Sequence, residues 1–175
     1  MSKKKLAIAC QGGGSHTAFT AGAIKKILRE TENDYELVGF SGTSGGAICA
    51  LITWYGIVKK DRQKAAKLLD SFWKANSATS YEEYMLNIMT KWGGEMRKRG
   101  VTLPEVSPYD TPLSKWALDR LRELVEEHVD FEEIENYDPT TEPALLVSAV
   151  DVHTGEFEIF HGTDISVDAI LASCA

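Results

Sequence analysis

The chain has 175 residues, of which 43% are hydrophobic and 26% charged, and these values indicate one globular domain rather than two large domains or a disordered segment. Its 26 acidic residues outnumber 19 basic ones, and the net charge of −7 argues against a nucleic-acid partner, because phosphate binding needs a concentrated positive surface. Three widely spaced cysteines, Cys10, Cys49 and Cys174, form no disulfide or zinc pattern and are typical of buried, reduced thiols in a cytoplasmic protein.

The first third of the chain alternates apolar runs, glycine-rich turns and helical patterns. Residues 6–10 predict a buried strand, and a helical pattern begins at Thr17 after a glycine-rich turn. Residues 37–40 predict a second strand, which leads through another glycine-rich turn into a helix over about 47–55. This alternation predicts a parallel sheet covered by helices.

The rest of the chain continues this α/β pattern, and no apolar run reaches the roughly 18 residues of a membrane-spanning helix. The patterns predict four further helices, at residues 62–75, 81–92, 112–125 and 167–172. They also predict a hairpin of two strands, at residues 144–150 and 157–160. The predicted fold class is α/β, a three-layer sandwich with a mainly parallel sheet and helices on both of its faces.

The helix predicted over residues 81–92 carries an apolar stripe, and Gly93 and Gly94 are expected to end it. The favoured interpretation is a helix that packs on the core. The alternative is a lipid-facing lid, with the basic cluster Arg97-Lys98-Arg99 meeting lipid headgroups. The stripe consists of Tyr81, Tyr84, Met85, Ile88, Met89 and Trp92.

The sharpest signal is the run Gly42-Thr43-Ser44-Gly45-Gly46, which fits the pattern G-x-S-x-G between a predicted strand and a predicted helix. A serine on such a sharp turn needs glycine neighbours, because side chains at the flanking positions would clash. The helix N-terminus also favours negative charge that develops beside it. We therefore predict that Ser44 is a nucleophile; the alternative is a turn in which Ser44 only caps the helix.

A second glycine-rich turn, Gly12-Gly13-Gly14, follows the first predicted strand. Successive glycine N–H groups that point to one position suit an oxyanion hole. The competing interpretation is a nucleotide-binding loop. Its dinucleotide pattern G-x-G-x-x-G is incomplete because Thr17 stands at the last position, and no Gly-Lys-Ser/Thr of a P-loop follows.

Together the two loops resemble the patatin-like phospholipase family, which has a glycine-rich oxyanion loop after its first strand and a G-x-S-x-G serine soon after its second. Residues 169–175 look like the family's helix before a loop of small residues and proline. Residues 148–156 resemble its central strand and turn, whereas residues 60–140 match only in helical character.

The resemblance implies a serine-dependent lipid acyl hydrolase with a Ser–Asp dyad, in which Ser44 attacks the ester carbonyl. The N–H groups that hold the oxyanion would be those of Gly12, Gly13, Gly14 and Gly45. The implied partner is a lipid or ester substrate at a membrane surface, the implied location is cytoplasmic and peripheral to the membrane, and no metal or organic cofactor is implied. The alternative functions are a nucleotide-binding α/β module and a non-catalytic protein of the same fold.

The sequence departs from the family in two places. A basic residue and glycine usually follow the family's three glycines, but here Ser15-His16-Thr17 follow, and His16 either meets an anion or only occupies the first helical turn. The family's base is an Asp in a D-G-G or D-G-A motif, and no Asp of this chain precedes glycine. The acids near the end, Asp151, Asp164 and Asp168, offer no physical case for a base.

We therefore expect residues 1–175 to be the N-terminal part of a patatin-like catalytic domain. The strand that bears the catalytic Asp is expected beyond residue 175, on a continuation or on a C-terminal fragment of the same protein.

Overall fold

The computed structural model describes residues 3–31, 34–78, 81–102, 112–134 and 143–174. Within these ranges the chain forms strands β1 (Lys4–Cys10), β2 (Tyr35–Thr43), β3 (Ala144–Val150) and β4 (Phe157–His161). The helices are α1 (Thr17–Glu30), α2 (Gly45–Val58), α3 (Arg62–Ala75), α4 (Tyr81–Lys98), α5 (Pro112–His128), α6 (Phe131–Ile134) and α7 (Val167–Cys174).

The four strands form one sheet in the order β1-β2-β3-β4. Strands β1, β2 and β3 run parallel, and β4 returns antiparallel to β3, as the predicted hairpin requires. The carboxyl ends of the three parallel strands therefore meet at one edge of the sheet, where loops from different strands come together. The predicted α/β class with a mainly parallel sheet is confirmed.

Helix α2 is the centre of the molecule, because all twelve residues from Gly45 to Gly56 are buried. A helix that is apolar on every side must be surrounded by other elements. It contacts β1, β2 and β3 on one side, and α1, α3 and α7 around the rest. Its position fixes the residue before it, Ser44, at the carboxyl edge of the sheet.

The two faces of the sheet differ in cover. The face on which α2 packs holds the buried side chains of Phe40, Leu145 and Val147. Side chains of the opposite face are exposed to solvent, among them Leu146, Val150, Phe157 and Ile159, which are 42–80% exposed. We call these four residues the uncovered face.

The structure corrects two sequence expectations in the middle of the chain. Gly93 and Gly94 do not end α4, which continues to Lys98. A glycine inside a helix costs only about 1 kcal/mol relative to alanine, so two of them do not force a break. The favoured interpretation, that the apolar side of α4 packs on the core, is also wrong for the side chains that the structure describes: Tyr84, Met85, Ile88 and Trp92 are exposed. The side chains of Tyr81 and Met89 lie outside the description.

Candidate active site

Ser44 lies on a sharp turn between β2 and α2, with φ 56° and ψ −133°. A non-glycine residue rarely adopts positive φ, so surrounding packing must hold this conformation. The two glycines of the pattern provide that packing, since a Cβ on Gly42 would lie 2.3 Å from the carbonyl oxygen of Gly46. The turn is thus closed by backbone contacts that no other residue type permits.

The first N–H groups of α2 lie directly after Ser44. The carbonyl of Ser44 already accepts the N–H of Ala47 at 2.8 Å, so the helix begins at once. The first N–H groups of a helix have no acceptor within it, and they carry the positive end of the helix dipole. The N–H of Gly45, the first helical residue, can therefore face negative charge that develops near the serine.

The glycine loop after β1 lies against the Ser44 turn. A Cβ on Gly12 would lie 3.2 Å from the Cβ of Ser44 and 2.9 Å from the carbonyl oxygen of Thr43. Gly14, at φ +54°, begins a single 3-10 turn that leads into α1. Glycine at position 12 therefore allows the loop to lie this close to Ser44, where a side chain would clash.

The same loop also meets the start of α2. The hydroxyl of Thr17 donates to the carbonyl oxygen of Gly14 at 2.5 Å, and a Cβ on Gly45 would lie 2.3 Å from that hydroxyl. The structure therefore brings the five residues predicted from the sequence into one place: Gly12, Gly13, Gly14, Ser44 and Gly45. His16, also considered for a role, is exposed beside this loop.

Ser173, which no sequence motif singles out, joins the turn to α7 near the other end of the chain. Its buried hydroxyl accepts the backbone N–H of Ser44 at 2.8 Å and donates to the carbonyl oxygen of Ser148 at 2.6 Å. The side chains of Thr43 and Ser148 are hydrogen-bonded 2.6 Å apart. The backbone of the nucleophile candidate is thus tied to α7 and β3, and its N–H is occupied.

The cysteines near this site are protonated thiols. Burial raises the pKa of Cys174 to about 11, although a hydrogen bond with Ser44 opposes the rise. Burial raises the pKa of Cys10 to about 11 and that of Cys49 to about 12. A thiolate is the reactive form of cysteine, so near neutral pH these groups do not compete with Ser44 as nucleophiles.

No carboxylate among the described residues is hydrogen-bonded to Ser44. Asp151, at the end of β3, uses its side chain to accept the N–H groups of His153 and Thr154, at 2.7 and 3.1 Å. Asp168 pairs with Arg122, and Asp164 lies in a short 3-10 turn. The described part of the chain thus holds a candidate nucleophile and glycine N–H groups, but no carboxylate in hydrogen-bond contact with that serine.

The described ranges also contain no cluster of His, Cys, Asp and Glu that could bind a metal ion. Among the helices described, none combines the length and apolar character needed to cross a membrane.

Comparison with known proteins gives one family. A family model described as a patatin-like phospholipase matches residues 8–175, which is nearly the whole chain. No curated protein matches the chain significantly.

A solved structure shares the fold. Human GIVD cytosolic phospholipase A2, in complex with methyl gamma-linolenyl fluorophosphonate, is similar with a TM-score of 0.50 and 16% identity, over 91% of this chain and 23% of that chain. At TM-score 0.43 the chain is also similar to the ExoU–SpcU complex of Pseudomonas aeruginosa, with 19% identity over 99% of this chain and 36% of that chain. VipD of Legionella pneumophila has the same TM-score, with 15% identity over 99% and 42%. The chain therefore spans about a quarter of the length of the human protein.

Proposed function

The chain belongs to the patatin-like phospholipase family, and from that premise we propose that it is a serine-dependent lipid acyl hydrolase with Ser44 as its nucleophile. The observation that carries the proposal is the strained turn at Ser44 with Gly12 packed against it. A glycine-rich turn that merely capped a helix would not need positive φ at its serine, because capping residues adopt extended backbone.

In the proposed reaction, the hydroxyl of Ser44 attacks the ester carbonyl and loses its proton to an aspartate. The oxyanion accepts hydrogen bonds from the N–H groups of Gly12, Gly13, Gly14 and Gly45. The intermediate collapses to an acyl-serine as the aspartic acid returns the proton to the leaving alcohol. Water then hydrolyses the acyl-serine by the same route. The N–H of Ser44 itself takes no part, because Ser173 occupies it.

We place the catalytic aspartate outside residues 1–175, on a continuation or a C-terminal fragment of the same protein. Two observations support this. No carboxylate of the described residues is hydrogen-bonded to Ser44, and the side chains of the uncovered face are apolar and exposed to solvent. The continuation would supply the predicted third layer by packing on Leu146, Val150, Phe157 and Ile159. An intact mass well above 19.3 kDa for the natural protein would agree with this arrangement, and a mass equal to it would contradict it.

The test is hydrolysis of a short-chain nitrophenyl ester by the natural protein and its variants. We expect Ser44→Ala to lower the rate at least about a thousandfold, because the nucleophile is lost. Ser77→Ala is the matched control, since its side chain is exposed at the end of α3 and its hydroxyl only donates to the carbonyl of Lys74.

A fluorophosphonate probe should label Ser44, with the adduct located by mass spectrometry of the tryptic peptide. Equal rates for the wild type and Ser44→Ala would overturn the proposal. Absence of both hydrolysis and labelling would instead indicate a non-catalytic protein of this fold. A rise in Tm with NAD⁺ would favour the nucleotide-binding alternative.

The proposed substrates are lipids at the surface of a membrane, and the proposed location is cytoplasmic and peripheral to that membrane. The proposal includes no metal, no organic cofactor and no nucleic acid.

A further inference from the structure

Helix α4 presents an apolar surface to solvent. Trp92 is 62% exposed, Tyr84 59%, Ile88 42% and Met85 37%. We call these four residues the α4 stripe. Four large apolar side chains exposed along one helix mark an interaction surface, because single exposed apolar residues are common but contiguous groups are not.

The spacing of these residues places them on one side of the helix. Positions 84, 88 and 92 are separated by four residues each, and position 85 is adjacent to the same line. Tyr and Trp have an apolar ring and a polar atom, and they are the side chains that prefer the boundary between lipid headgroups and acyl chains. The composition of the α4 stripe therefore suits a lipid boundary better than a purely apolar protein groove.

The charges in the second half of α4 favour a negatively charged partner. Lys91, Arg97 and Lys98 are exposed in this half, and exposed Arg99 directly follows the helix, although the whole chain carries a net charge of −7. Glu95 lies among them but is paired with Lys98 at 3.0 Å. Glu82 and Glu83 stand in the first turn, at the opposite end from this basic group. An apolar stripe flanked by lysine and arginine is the pattern of a helix that lies in a membrane interface.

We propose that α4 binds the surface of an anionic lipid bilayer, with the α4 stripe inserted between headgroups and the basic residues contacting lipid phosphates. This proposal rests on the proposed function in one respect, because the helix would bring a lipid hydrolase to its substrate. The binding itself requires no catalysis, so it can be tested separately from Ser44.

The experiment measures binding of the protein to vesicles of non-hydrolysable diether lipids, by co-sedimentation and by tryptophan fluorescence. We expect binding to vesicles of phosphatidylcholine mixed with phosphatidylglycerol, and weak binding to phosphatidylcholine alone. Emission should shift to shorter wavelength, and brominated lipids should quench it, because Trp92 enters the acyl boundary. Since the lipids cannot be hydrolysed, the result does not depend on whether the protein is an esterase.

Variants assign the binding to α4. Trp92→Glu should weaken vesicle binding about tenfold or more, because a charge would replace an inserted aromatic side chain. The double variant Arg97→Gln/Arg99→Gln should weaken binding to anionic vesicles by a similar factor. Trp116→Glu is the matched control, since Trp116 on α5 is 50% exposed but lies outside α4. Circular dichroism and Tm identify any variant that unfolds.

Three results would overturn the proposal. The first is no binding of the wild type to anionic vesicles; if nitrophenyl ester hydrolysis persists, only the membrane surface is refuted. The second is equal weakening by Trp92→Glu and Trp116→Glu. The third is Trp92 fluorescence that acrylamide does not quench in the absence of vesicles. The α4 stripe would then already be covered by a second copy or by another segment of the protein.

Discussion

Individual glycines at the candidate site act by letting two backbones approach each other. A Cβ on Gly46 would lie 2.3 Å from the carbonyl oxygen of Cys10 and 2.7 Å from that of Gln11. These oxygens belong to the end of β1 and to the start of the glycine loop. Gly46 therefore keeps the helix that follows Ser44 in contact with the loop proposed to hold the oxyanion.

We expect Gly46→Ala to lower the free energy of unfolding by about 3 kcal/mol, because backbone must move to admit the methyl group. Gly22→Ala is its matched control: Gly22 lies inside α1 with no atom within 4 Å of an added Cβ. That change should raise stability by up to about 1 kcal/mol. Urea unfolding measures both values, and equal effects of the two variants would contradict the argument.

The signals that predict these candidate site residues are all local. The glycines and Ser44 are adjacent along the chain, and the apolar runs before them mark the strands. Ser173 could not be predicted in this way, since it stands 129 residues from Ser44 and reaches it only when α7 packs beside β3. The catalytic aspartate, which we propose lies outside residues 1–175, would not be found by any pattern within them.

At the scale of elements, α7 is the connection between the candidate nucleophile and the central strand. Ser173 gives α7 two hydrogen bonds, one from the turn before α2 and one to β3. Ile170 of the same helix is fully buried in the core, so the helix is held by apolar packing as well.

Ser173→Ala should lower the free energy of unfolding by about 1–3 kcal/mol, because it leaves the N–H of Ser44 and the carbonyl of Ser148 without this partner. Ser173→Thr keeps a hydroxyl and should recover part of the loss. Ser77→Ala, at an exposed position, should change stability by less than about 0.5 kcal/mol. Urea unfolding of all three is the measurement, and a Ser173→Ala variant as stable as the wild type would refute the role of this hydroxyl.

The elements themselves differed in how well they could be predicted. Helix α3 and strand β3 have the predicted bounds because an apolar pattern and polar flanks define each of them. Helix α4 was predicted as a helix, yet its surroundings were not, since an apolar stripe indicates which side is covered but not what covers it. The short helix α6 was not predicted, because four residues are too few to show a period.

At the scale of the whole molecule, helices cover one face of the sheet, whereas the side chains of the uncovered face are exposed to solvent. Leu146 and Val150 of β3 stand beside Phe157 and Ile159 of β4, so the exposed apolar side chains form one continuous group. An apolar group of this extent on an isolated domain favours association. In the proposed complete protein a further layer would cover it.

We expect residues 1–175, produced alone, to self-associate as concentration rises and to bind the dye ANS. The double variant Phe157→Ser/Ile159→Thr should increase the monomer fraction in sedimentation velocity with little change in stability, because both side chains are already in water. Phe19→Ser is the matched control, since Phe19 is 83% exposed but lies on α1. A wild-type 1–175 chain that stays monomeric at high concentration and binds no ANS would contradict the expectation.

The contact of Gly46 with the end of β1 also has a consequence for how the protein folds. The turn at Ser44 is strained on its own, and β1, the glycine loop and α7 add to the packing that Gly42 and Gly46 provide beside it in sequence. A peptide of β2 and α2 alone would lack the contacts with β1, the glycine loop and α7. We therefore expect Ser44 to hold its strained conformation fully only when the first and last described elements have both docked.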